Sequence, residues 1–227
     1  MTAPVLELTG VTKQYGALRP LRLAQFALSP GEHVAMLGLD QPAAEVLINL
    51  VTGASLPDTG IVRIFGRATA DITDSDDWLT TLDRFGIVTE RAALIEPMTV
   101  VQNLAVPFSL ELEPPPPNIA RQAAALALEA GLRESALEQS VGDLDAASRM
   151  RVRLGRALAF SPGLLLLEHP SATLPRSEVI RFACDVRRLA ERRGISTLTI
   201  TADPEFAGAV STIAVALEAA TGRLRIP

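Results

Sequence analysis

Residues 34–48 place an apolar strand, Val34 to Leu37, directly before Gly38, then a short loop, then an apolar helix start. A strand that feeds a helix through a glycine-led loop commits a chain to an α/β arrangement, because the helix must pack back against a sheet. It is also the layout of a phosphate-binding loop, G-x-x-x-x-G-K-[ST]. In that loop the lysine neutralises phosphate charge and the hydroxyl holds Mg²⁺. Aligned on Gly38, the second glycine falls on Ala43, the lysine on Ala44 and the hydroxyl residue on Glu45. The frame is present and its phosphate chemistry is missing.

Strand and helix signals alternate along the rest of the chain. Strands are predicted over Val5 to Leu8, Leu21 to Leu28, His33 to Leu37, Ile61 to Phe65 and Phe85 to Thr89. Ser29-Pro30-Gly31-Glu32 and Pro57-Asp58-Thr59-Gly60 punctuate them as turns. Helices are predicted over Ala43 to Thr52, Thr99 to Leu112, Ile119 to Leu132 and Arg149 to Phe160, with Pro114-Pro115-Pro116-Pro117 as a stiff spacer. The apolar run Leu164 to Leu167 suits a central parallel strand. A helix from Ser177 to Arg193 closes on Gly194, and strands follow at Ser196 to Thr201 and Thr212 to Leu217. Residues 1–89 and 156–227 thus read as an α/β body with a β subdomain, and about 90–155 as a helical subdomain, all in one domain of 227 residues.

Composition narrows the function. At 48% hydrophobic residues the chain can fill a core, and a net charge of −5 offers no basic face for nucleic acid. Cys184 is the only cysteine, so no internal disulfide forms. The start, Met1-Thr2-Ala3-Pro4, lacks a basic region followed by an apolar run, and no apolar stretch nears the ~20 residues of a membrane span. The expectation is a cytoplasmic chain that meets a membrane through partners.

End to end, the chain resembles the nucleotide-binding subunit of ABC transporters. Val11-Thr12-Lys13-Gln14-Tyr15-Gly16 looks like the family's opening, whose aromatic residue stacks on adenine. Ser29 to Glu32 before a strand, and Pro57 to Gly66, match the segments on either side of the phosphate loop. Arg151-Val152, Gly155 to Ala159 and Leu164 to Leu167 match the helix and strand after the signature, and Pro170 to Leu174 the turn beyond them. The resemblance implies a P-loop NTPase-like ABC ATPase fold: a mixed RecA-like sheet with an antiparallel β subdomain and a helical subdomain. The segments Asp83 to Leu94 and Met98 to Phe108 look most like the lipid-trafficking, Mce/Mla-type branch.

Carried over position by position, the family's motifs are altered throughout. The Q-loop glutamine falls on Glu90, and the signature Leu-Ser-Gly-Gly-Gln reads Leu144-Asp145-Ala146-Ala147-Ser148. The Walker B aspartate falls on Glu168, the catalytic glutamate on His169, the D-loop aspartate on Pro175 and the switch histidine on Ala202. Phosphoryl transfer is catalysed by positioning and charge stabilisation, and a lost polar contact costs about 2–4 kcal/mol at such a site. The chain is therefore expected not to hydrolyse ATP, with ATP and Mg²⁺ bound only if the site has been rebuilt.

Several residues carry two readings. Tyr15 is an adenine platform or a turn aromatic. His169 is a base or a structural, hydrogen-bonded histidine. Glu45 and Glu90 form a cation site or are solvated charges, and His33 starts a strand with no visible partner. Arg187, Arg188, Arg192 and Arg193 read as a solvated helix end. The apolar residues between Thr89 and Pro107, among them Ala92, Ala93, Leu94, Ile95, Met98, Val100 and Val101, are a docking surface or core. The first functional expectation is a non-catalytic cassette subunit beneath transmembrane permease subunits, beside a second cassette. The alternatives are an ATPase with an unconventional site, its cation brought by Arg149 or Arg151 from a partner, and a free-standing scaffold.

Overall fold

In the computed structural model residues 3–226 are described. Met1 and Thr2, part of the N-terminal stretch read for a targeting signal, lie outside the described residues, as does Pro227.

The elements run β1 (Leu6–Lys13), β2 (Leu21–Leu28), β3 (His33–Leu37), α1 (Gln41–Val51), β4 (Thr59–Ile64), β5 (Arg67–Ala68), α2 (Ser75–Leu82) and β6 (Phe85–Thr89). There follow α3 (Val100–Ala105), α4 (Pro117–Glu129), α5 (Ala146–Ala157), β7 (Leu164–Glu168), α6 (Arg176–Arg193), β8 (Ser196–Ile200), α7 (Pro204–Val210), β9 (Ile213–Glu218) and β10 (Arg223–Arg225). One sheet has the order β10-β9-β3-β8-β7-β6 and the other β2-β1-β4-β5. In the first, β9, β3, β8, β7 and β6 are parallel and β10 is antiparallel to β9. The second is antiparallel throughout. A mixed sheet, an antiparallel sheet and a helical part between β6 and β7 are the architecture that the sequence implies.

Two apolar clusters divide the interior. One lies between the two sheets and takes in the buried face of α1, including Ala43, Ala44, Leu47 and Leu50. The other joins α3, α4 and α5 to the far face of the parallel sheet and to α6 and α7. β7 is buried along its whole length, as an apolar run in a parallel sheet requires.

The helix boundaries depart from the sequence reading for identifiable reasons. Helix α1 starts at Gln41 rather than Ala43, because the Asp40 side chain accepts from the Ala43 N–H and Pro42 suits the first turn. The helix predicted from Thr99 to Leu112 stops at Ala105, since Pro107 cannot donate the next helical bond. Its start carries a capping box between Thr99 and Gln102. Pro117, read as part of the spacer, is instead the first residue of α4. Asp145 caps α5 and so opens it at Ala146, three residues before the predicted start. β1 runs on to Lys13 because β2 pairs with it along that length. Helices α2 and α7 and the short strands β5 and β10 have no counterpart in the sequence reading.

Candidate functional site

The candidate site lies at the carboxyl ends of β3, β7 and β6, where the loops after these strands meet the start of α1. Gly38 ends β3 with φ 89°, and a Cβ there would stand 2.7 Å from the Leu217 carbonyl oxygen, so β9 closes over the loop. Only glycine allows both the left-handed turn and that approach. Beyond it, the Asp40 carboxylate accepts from the Ala43 N–H at 3.0 Å and the Asp40 carbonyl from the Ala44 N–H at 2.9 Å. The Ala43 N–H is a donor that a phosphate would need at a helix start, whereas the Ala44 bond is the ordinary first bond of the helix. Ala44, aligned with the lysine, is wholly buried and packs in the inter-sheet cluster.

Glu45 and Glu168 are brought together by a residue that the sequence reading missed. Arg91, on the loop after β6, donates to Glu45 at 2.6 Å and to Glu168 at 2.7 Å. Register explains the reach, since Thr89 pairs with Glu168 across β6 and β7. The Arg91 backbone N–H also donates to the Thr89 hydroxyl, which turns the loop back toward the strand ends. Gln41 donates to the other Glu168 oxygen at 2.5 Å. Burial alone would lower the Arg91 pKa, but the Glu168 hydrogen bond and the Glu168 and Glu45 charges outweigh it and raise it. The guanidinium is permanently charged.

Glu90 stands apart from this group. Its carboxylate accepts from the Thr173 hydroxyl at 2.5 Å and lies 3.5 Å from Arg153. Glu45 and Glu90 are therefore neither one cation site nor merely solvated, since each has its own protein partner. Within this chain Arg149 and Arg151 are engaged away from the site. Arg149 donates to the Leu144 carbonyl, while Arg151 donates to the Ala130 carbonyl and pairs with Asp185 at 2.7 Å.

His169 follows Glu168 with φ 42°, a left-handed conformation that histidine tolerates better than most residues. Its Nε2 is buried without a hydrogen-bond partner, contrary to the structural, hydrogen-bonded reading. His169 and Ala202 line one cavity of about 310 Å³ with Thr201 and Asp203. Asp203 is committed to capping α7 and to Arg176.

Tyr15 is half-buried beside Gly38, Leu39, Asp40 and Ala43 at a hollow of about 160 Å³. That is about half the lower bound of ordinary ligand pockets. Burial, then the Asp40 charge, raises the Tyr15 pKa. In the signature segment Leu144 and Ala147 are buried, Ala146 starts α5 beside the half-buried Ser148, and Asp145 accepts from the Ser148 N–H at 2.6 Å. That backbone donor, chiefly, holds the Asp145 carboxyl below its ordinary range.

Other expectations change with the contacts. His33 has a partner after all: Nδ1 lies 3.2 Å from the Thr197 hydroxyl. Three of the four arginines at the end of α6 are paired, Arg187 with Glu191, Arg188 with Asp185 and Arg193 with Glu129, while Arg192 is exposed as expected. In the apolar stretch after β6, Val100 and Val101 are core, while Ile95 is exposed. Among the described residues no helix is long and apolar enough to cross a membrane, and no cluster of His, Cys, Asp and Glu is arranged to hold a metal ion.

The parallel sheet and its strand–Gly38–helix unit define an α/β fold of the phosphate-binding-loop class. The profile of the family described as ABC transporter matches residues 21–172, and the chain belongs to that family. Among relatives, the sulfate/thiosulfate import ATP-binding protein CysA 2 of Chromobacterium violaceum is 30% identical over 214 residues, 94% of this chain and 56% of that protein. The ribose import ATP-binding protein RbsA 2 of Rhizobium etli is 29% identical over 202 residues, 88% of this chain and 39% of that protein. The chain thus spans about half the length of the curated relatives it matches. Two solved structures share the fold. The ATP-binding cassette MJ0796, a dimer bound to ADP and Pi, aligns at TM-score 0.76 and 22% identity, covering 97% of this chain and 98% of that one. CbiO1 from Clostridium perfringens, part of the cbiONQ transporter complex, aligns at TM-score 0.80 and 18% identity, covering 98% and 87%.

Proposed function

We propose that this chain is a non-catalytic cassette subunit of a membrane ABC transport complex, structural or regulatory in role, in which ATP binding is weak or lost. The observation that carries this reading is the start of α1, where the Asp40 carboxylate takes the Ala43 N–H. A carboxylate seated there repels phosphate, and the buried Ala44 brings no compensating cation. Glu168, His169 and Ala202 are the altered catalytic positions, and Tyr15, Gly38, Ala43, Ala44, Glu45 and Glu90 the altered nucleotide positions. Leu144 to Ser148 is the altered signature.

In this reading the chain is one cassette, with about 90–155 as its helical subdomain. Its partners are permease subunits and a second cassette, and it sits through them on the inner face of the cytoplasmic membrane. Family membership supports this, as do relatives that include import ATP-binding proteins for sulfate and ribose. A lipid-trafficking cargo rests on residues 83–108 alone.

The test is hydrolysis by the purified chain, together with fractionation of the tagged chain in cells with and without its permease. The reading requires no phosphate release above background and membrane association that depends on the permease. Turnover near the ~1–1,000 per second of ordinary enzymes would overturn the non-catalytic reading. A chain that stays off the membrane when the permease is present would overturn the transport role.

A further inference from the structure

The family implies Mg²⁺ beside the nucleotide, and the residues present do not fit it. Mg²⁺ demands oxygen ligands in near-octahedral order at about 2.0–2.1 Å and retains several waters. The oxygen atoms available for that purpose are already engaged. Glu168, with no exposed side-chain surface, gives Oε1 to the Gln41 amide and Oε2 to Arg91. Glu45, at the position aligned with the metal-binding hydroxyl, gives its carboxylate to the same guanidinium. Thr173 and Arg153 hold Glu90 away.

We infer that Arg91 is the resident cation of this site. Its guanidinium bridges Glu45 and Glu168 where a divalent ion would otherwise sit, and the nucleotide-free site therefore excludes divalent metal. The planar fork suits the task, because one guanidinium donates to two carboxylates at once and stays charged at every physiological pH. Buried Glu168 needs such a partner, since an unpaired carboxylate out of water is costly. The fork is also attached to the chain, so its local concentration exceeds that of any free ion. This inference deepens the non-catalytic reading by naming what replaces the metal.

The experiment is titration of the full chain with Mn²⁺, without nucleotide, followed by electron paramagnetic resonance. Wild type is expected to leave Mn²⁺ free at millimolar concentration. Arg91→Met, which frees Glu45 and Glu168, is expected to bind Mn²⁺ at least about tenfold more tightly. Should the methionine variant not fold, Arg91→Gln retains a hydrogen-bond donor for Glu168, and the same gain is expected of it. Stoichiometric Mn²⁺ uptake by wild type would overturn the inference. So would a folded Arg91 variant that binds no better than wild type. Because no nucleotide is present, either failure is separate from a failure of the non-catalytic reading, which nucleotide binding and hydrolysis decide.

Discussion

The cleft at the start of α1 and the loop beneath α3 both satisfy polar side chains internally, but to opposite ends. Beneath α3, Asn103 is fully buried, accepts from the Ile95 N–H and donates to the carbonyls of Ile95, Met98 and Thr99. There the side chain is the partner of the Ile95 N–H and a second donor to three carbonyls that the Met98, Val141 and Asn103 N–H groups also reach. In the cleft, Arg91, Glu45, Glu168 and Gln41 satisfy one another, and Asp40 satisfies the helix start. These groups hold no loop in register; they neutralise a place where a ligand's charges would go. In the proposed reading, internal satisfaction supports the fold in one region and closes a site in the other. Removal should therefore cost stability beneath α3 and open a site in the cleft.

The largest expected effect is in the first region. Asn103→Ala leaves the Ile95 N–H unpaired, takes a second donor from three carbonyls and opens a cavity at a fully buried position, and should cost about 4 kcal/mol in urea unfolding. A cost below about 1 kcal/mol would break the contrast, since the loop would then hold itself.

Next comes the change that nominally repairs the phosphate loop. Ala44→Lys restores the aligned lysine, yet Ala44 is wholly buried between the sheets. The variant should lose about 3 kcal/mol and gain no ATP affinity, because the cation must be buried or the helix displaced. A variant that keeps wild-type stability and binds ATP would show that the cleft is one substitution from function.

The smallest effect is a pH dependence away from both regions. Burial holds the His33 pKa below its ordinary value, with the Arg187 charge lowering it further against Glu191. The unfolded chain therefore takes up the proton first as pH falls. Stability should be full near pH 7 and decline between about pH 6.5 and 5.5, by no more than about 1 kcal/mol. His33→Gln should flatten that decline, whereas a wild-type melting temperature that rises toward pH 5.5 would refute it.

Much of the body was legible in the sequence because its signals are local. β2, β3 and β6 fall on their predicted residues, since apolar strands bounded by turn residues read clearly. Gly194 stops α6 in the left-handed conformation that the sequence implies. Even the early start of α1 had a signal, an aspartate two residues ahead of a proline, but alignment to the phosphate loop displaced it.

The site was less legible because its contacts are not local. Arg91 meets Glu45 and Glu168 only after β6 and β7 pair in register, so neither spacing nor composition announces it. His33 finds Thr197 in the same way, across β3 and β8. Arg151 reads as a cation free to reach a partner until α6 brings Asp185 against it.

In the proposed reading the cleft has exchanged ligand binding for internal charge neutralisation. Calorimetric titration of the purified chain with ATP·Mg²⁺ tests it most directly. No heat of binding and no thermal shift are expected at millimolar nucleotide. Binding at sub-millimolar affinity, more than about 4 kcal/mol of association free energy, would contradict it, because Asp40 and Arg91 would then have to yield to phosphate and metal.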